Sequence, residues 1–154
     1  MKKLLKPAVM VVLLAPLLPF SAVLGQDAPS SSGGATSGPA NFYINSALDN
    51  IEEFVVPAAG SNKVSGEIDD YSTDLELVVE DDGLQAVGLR FTNVSIPQGA
   101  TISNAYIQFT VDETDSEATS LIIAIEDVGD AAAYTTAPFA VTSRTYMEST
   151  VAWN

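Results

Sequence analysis

Two alternating segments around a Pro-x-Gly turn constrain this chain more than any other feature. In residues 87–111, VGLRFTNVSIPQGATISNAYIQFTV, the apolar Val87, Leu89 and Phe91 alternate with Gly88, Arg90 and Thr92. Beyond the turn, Ala105, Ile107, Phe109 and Val111 alternate with Tyr106, Gln108 and Thr110. A period of two sends successive side chains to opposite faces, which predicts two half-buried strands. Pro97 presets φ and Gly99 follows two positions on, so residues 96–100 read as a tight turn and the whole unit as a β-hairpin.

Short runs of the same kind fill the rest of the chain: 42–44, 53–56, 63–68, 75–79 and 121–125 are further candidate strands. Turn-forming residues separate them at 58–62, 81–83 and 112–118. Many short strands without sustained 3.6-residue periodicity predict an all-β fold, an antiparallel jelly-roll-like β-sandwich. Residues 128–144 lose the alternation and read as a long surface connection, with at most a short helix at 130–134. Thr150, Val151, Ala152 and Trp153 begin a strand that stops one residue later, which predicts a domain incomplete at its C-terminus.

The start of the chain belongs to a different category. Lys2, Lys3 and Lys6 precede the apolar run 9–18, the pattern of a signal peptide spanning residues 1–25, with Gln26 as the first mature residue. Pro16, Pro19 and an apolar run shorter than the roughly 20 residues needed to cross a bilayer argue against a membrane anchor. Residues 26–40 are almost all Ser, Gly, Ala, Pro and Thr, a flexible tether. Residues 41–154 remain, enough for one β domain. A secreted or cell-surface location follows as the expectation.

Charge and missing residue types then exclude whole classes of function. The chain carries 20 acidic residues against six Lys and Arg, a net charge of −14; loss of the three leader lysines leaves three cations and a net charge of −17. Such a domain repels nucleic acid phosphates and anionic lipid, and attracts cations. Without cysteine there is no disulfide staple. Without histidine no Ser-His-Asp or Cys-His nucleophile system and no His-ligated zinc site can form.

The run GLRFTNVSIPQGATISNAYIQFTVDE, residues 88–113, resembles the disaggregatase-related (DNRLRE-like) domains of secreted bacterial and archaeal surface proteins. The similarity extends over about residues 52–153, with Asp74, Leu75, Glu76 and Leu77 upstream. It implies adjacent strands of a jelly-roll-like sandwich, related to some carbohydrate-binding modules attached to polysaccharide-active enzymes. Such domains continue through further strands past the position of Trp153.

Two groups of residues carry candidate chemistry. If the strands of the 87–111 unit pair, Arg90, Tyr106 and Gln108 share one exposed face; a ring for sugar C–H surfaces beside a guanidinium suits an acidic polysaccharide. Tyr71, Tyr134 and Tyr146 fall near loops and are further candidate contacts, whereas Trp153 reads as core. Asp112, Glu113, Asp115 and Glu117 place four carboxylates in one loop, with Asp74 and Glu76 as additional oxygen donors, the hard ligands that calcium takes. A sandwich this small offers little depth in which to bury a proton donor, so catalysis by a carboxyl pair is not expected. The expected function is a non-catalytic extracellular module for polysaccharide or surface-glycan binding or adhesion. The alternatives are a structural subunit of a matrix or filament that self-associates through strand edges, and the N-terminal accessory part of a carbohydrate-active enzyme with neighbouring domains.

Overall fold

The computed structural model describes residues 8–14, 40–44, 46–72, 74–94, 96, 101–111 and 120–153. These form an all-β structure with no helix among the described residues. Seven strands follow in chain order: β1 (Ala8–Leu14), β2 (Asn50–Pro57), β3 (Ile68–Asp69), β4 (Val79–Glu80), β5 (Gly83–Phe91), β6 (Leu121–Glu126) and β7 (Tyr146–Trp153). They lie in one sheet of order β3-β2-β5-β1-β6-β7, with β4 pairing β5 off this path. Every pairing is antiparallel except those of β1, which runs parallel to both β5 and β6.

Register explains the core. Glu52 pairs with Val87 and Glu53 with Ala86, so Val87 and Leu89 face one side of the β2–β5 pair while Ile51, Ala86 and Gly88 face the other. Both sides are buried. On the first, Val87 and Leu89 pack with Val78 and Leu121, flanked by Leu75, Leu77, Ile107 and Phe109. On the second, Ile51, Ile68 and Ala86 pack with Ala131, Tyr134 and Val141. The covering layers described are irregular chain, so among the described residues the sheet is enclosed without a complete second sheet opposite it.

The expected hairpin partner of β5 is therefore absent. One edge of β5 pairs with β2, and the other with β4 at Gly83 and Leu84 and with β1 at residues 88–91. Residues 105–111 form no strand among the described residues; Ile107 and Phe109 point inward and Tyr106, Gln108 and Thr110 stay exposed, as the alternation predicts, but Ala105 and Val111, expected on the inward face, are exposed. The turn at 97–100 lies outside the described residues. Segments 42–44, 63–68 and 75–79 are largely irregular; of them only Ile68 and Val79 enter strands. The connection 128–144 is not a surface excursion, since it supplies Ala131, Tyr134 and Val141 to the core. It also lacks the short helix.

Candidate functional site

The local cause of the site is a pair of consecutive glutamates inside β2. Alternation sends Glu52 and Glu53 to opposite faces, and both side chains are almost fully buried, 2% and 0% exposed. Glu53 is completely engaged: its carboxylate accepts from the Val141 N–H at 2.7 Å, the Thr142 N–H at 3.1 Å and the Thr142 hydroxyl. That group fastens the 131–144 connection to the sheet. Glu52 faces a cavity.

The cavity, about 170 Å³, is lined by Asn50, Glu52, Asp69, Asp70, Ser72 and Asp74 among others. The Glu52 Oε1 accepts the Glu76 N–H at 2.6 Å. Burial lifts the Glu52 carboxyl from its ordinary 4.5 to about 7, against the downward pull of the Glu76 and Ser72 hydrogen bonds, and the charges of Asp69 and Glu80 add to the rise. Glu80 is raised for the same reasons, burial first and then the charges of Asp69, Asp82 and Glu76. Asp69 Oδ1 accepts from the N–H groups of Tyr71 and Ser72 at 3.1 and 3.2 Å, an Asx-type turn that fixes the rim. Tyr71, carried on that turn, is 87% exposed.

Lys63 is the cation of this region. Its ammonium lies 3.3 Å from Glu67 and 3.8 Å from Asp69, and 4.9 Å from the centre of the Phe54 ring. Burial pulls its pKa down, but the Glu67 hydrogen bond and the charges of Asp69, Glu67 and Asp82 outweigh that and hold it above the ordinary value.

The sequence-predicted binding triad does not assemble as one face. Arg90 lies under the 131–144 connection, where its Nη1 donates to Asp49 Oδ1 and its Nε to the Ala131 carbonyl, both at 2.6 Å. The guanidinium is spent on a mostly buried ion pair, because the face carrying Ala86, Gly88 and Arg90 is covered rather than solvated. Tyr106, 75% exposed, and Gln108 remain on the surface. Beside their segment Phe109 stacks on Trp153 with centroids 6.1 Å apart, and Trp153 is 47% exposed rather than core. Tyr134 is core, its ring capped by the Arg144 guanidinium at 4.2 Å. Tyr146 is half-buried, and its hydroxyl donates to the Val141 carbonyl at 2.6 Å.

Asp112, Glu113, Asp115 and Glu117 lie outside the described residues. Asp74 lines the cavity and the Glu76 backbone is held by Glu52, so these two belong to the Glu52 neighbourhood. Among the described residues no group of three or more acidic side chains is placed to hold a metal ion. Nor is any described helix long and apolar enough to cross a membrane.

Sequence reasoning missed Glu52 and the 69–72 turn. The available signal was the run Ile51-Glu52-Glu53-Phe54-Val55-Val56, in which charge interrupts an apolar strand on both faces at once. Chemically, the cavity offers carboxylate, amide and hydroxyl acceptors, together with one carboxyl able to donate near neutral pH. No family model, curated protein or solved structure matches the chain.

Proposed function

We propose that this chain is a non-catalytic extracellular module, of the disaggregatase-related jelly-roll kind, that binds a neutral polysaccharide and thereby contributes to surface adhesion. The observation that carries the reading is the polar cavity at Asn50, Glu52, Asp69, Asp70, Ser72 and Asp74, with exposed Tyr71 on its rim turn. Sugar hydroxyls are donors that carboxylates and amides accept, and an exposed ring supplies an apolar face for sugar C–H groups. The cavity is smaller than the roughly 300 Å³ at which drug-sized pockets begin, which suits one sugar unit or chain end rather than a buried oligosaccharide. Charge selects the glycan: with Arg90 paired internally and a net charge of −14, an acidic polysaccharide is repelled. Tyr106 and Gln108 form a second candidate contact surface.

Affinity electrophoresis against a panel of neutral and acidic polysaccharides tests this. Retention on a neutral glycan should weaken about tenfold in Tyr71→Ala or Asp70→Asn, roughly 1.4 kcal/mol. Loss confined to Tyr106→Ala or Gln108→Ala would move the site to the second surface, and no retention on any neutral glycan would sink the reading. Calcium held by Asp112, Glu113, Asp115 and Glu117 belongs to the same proposal. Chelation should then lower the melting temperature, and an unchanged curve would remove the ion from it.

A further inference from the structure

The segment with the sequence of a leader core, Ala8–Leu14, occupies the middle of the sheet. Its residues 11–14 pair in parallel with residues 88–91 of β5, and its residues 8–11 pair in parallel with residues 121–124 of β6. In the strand order it is the sole hydrogen-bonded link, among the described residues, between the β3-β2-β5 half and the β6-β7 half. Take it away and two backbone edges face each other across a gap one strand wide, about 9.5 Å or two strand spacings.

The chemistry of that gap is specific. Gly88 and Leu89 on one side and Leu121 and Ala124 on the other are buried, so a strand between them has core on both faces. Strands in that position are apolar throughout rather than alternating, and parallel pairing is typical of them. The sequence AVMVVLL, seven residues without a polar side chain, meets that demand. An open pair of edges at this place would be a template for another chain.

We propose that the β5–β6 slot is an acceptor site for an apolar strand running parallel to both neighbours, closed by residues 8–14 while these are attached and open, once they are removed, to a matching apolar strand of another polypeptide. The proposal is independent of glycan binding.

The absence of cysteine makes disulfide trapping a clean test on the full chain. Val9 and Ile122 are register partners, so Val9→Cys with Ile122→Cys should cross-link within the chain under mild oxidation, and the out-of-register Met10→Cys with Ile122→Cys should not. Capture in trans uses a synthetic peptide of residues 6–15 carrying Val9→Cys. A full-length Ile122→Cys chain whose own strand is disabled by Val9→Pro and Val11→Pro should trap this peptide at least tenfold more than the same chain with β1 intact, since proline removes ladder N–H groups. If the proline variant does not fold, refolding the Ile122→Cys chain with native β1 in rising peptide gives the same reading as dose-dependent capture. Concentration-dependent dimers of the Val9→Cys/Ile122→Cys chain would support the proposal and identify a second copy as donor. Absence of the in-register disulfide, no capture during refolding, or equal capture of a Val9→Cys peptide that also bears prolines at positions 11 and 13 would overturn it.

Discussion

Glu52 and Glu53 are adjacent in sequence and opposite in physics. Glu52 carries a carboxyl raised to about 7 by burial, so the folded chain binds a proton there that the unfolded chain, near 4.5, has already released. Stability from this group is full below about pH 4.5 and is lost as pH rises through 7. The expected loss is roughly 2–3 kcal/mol between about pH 5 and 8, with Glu80 acting in the same direction. Urea unfolding at the two pH values should show it, and Glu52→Gln should flatten the dependence; wild-type stability that climbs across this window would refute the assignment. Glu53 instead satisfies three donors of the 141–142 segment, and an amide in its place would turn an NH₂ group toward a backbone N–H. Glu53→Gln should cost about 2 kcal/mol, read from the urea midpoint. Among the described residues the buried Tyr134 hydroxyl has no hydrogen-bond partner, so Tyr134→Phe should leave stability unchanged or raise it by up to about 1 kcal/mol. None of these roles is legible from composition. Two charges inside an apolar strand flag an anomaly, but which face is cavity and which is clasp depends on chain that arrives some 20 residues later in one case and nearly 90 in the other.

At the scale of elements, β5 shows why periodicity succeeded locally and misled about partners. The alternation of Val87 and Leu89 with Ala86, Gly88 and Arg90 correctly separates two faces, but the small residues were markers of close approach, not of solvent. A Cβ on Gly88 would lie 2.6 Å from the Tyr134 ring, so Gly88→Ala should destabilise by roughly 1–3 kcal/mol through displacement of the 131–144 connection. Near-ultraviolet circular dichroism of Tyr134 together with a shifted urea midpoint would register it; an unchanged midpoint would mean the ring yields freely. That connection escaped the sequence reading because its core residues, Ala131, Tyr134 and Val141, show no period of 2 and, though spaced by three and seven, lie in chain that forms no helix. The strands β2, β5 and β6 were legible because each combines β-branched or aromatic residues with flanking turns. The hairpin at 87–111 was not realised because both edges of β5 are already taken. Local pattern specifies a strand; competition for edges chooses its neighbours.

For the whole molecule the governing imbalance is charge. Among the described residues Lys63, Arg90 and Arg144 form ion pairs with Glu67 and Asp69, Asp49, and Glu126, and the sequence sets 20 acidic residues against six Lys and Arg. Two opposing salt effects follow. Screening relieves repulsion among exposed carboxylates, which is long-ranged and therefore sensitive to a screening length that falls from about 30 Å to 3 Å between roughly 0.01 and 1 M salt. Screening also weakens ion pairs, but Arg90–Asp49 and Arg144–Glu126 are mostly buried and close, at 2.6 and 3.0 Å, and are little affected. Repulsion dominates by number and exposure, so the melting temperature at neutral pH should rise steadily with sodium chloride. The gain should shrink near pH 4, where the carboxylates discharge and less repulsion remains to be screened. Scanning calorimetry over this salt range at both pH values separates the two effects. A melting temperature that falls with salt at neutral pH would mean that the three ion-paired cations, not the excess of acids, decide the stability of the sheet.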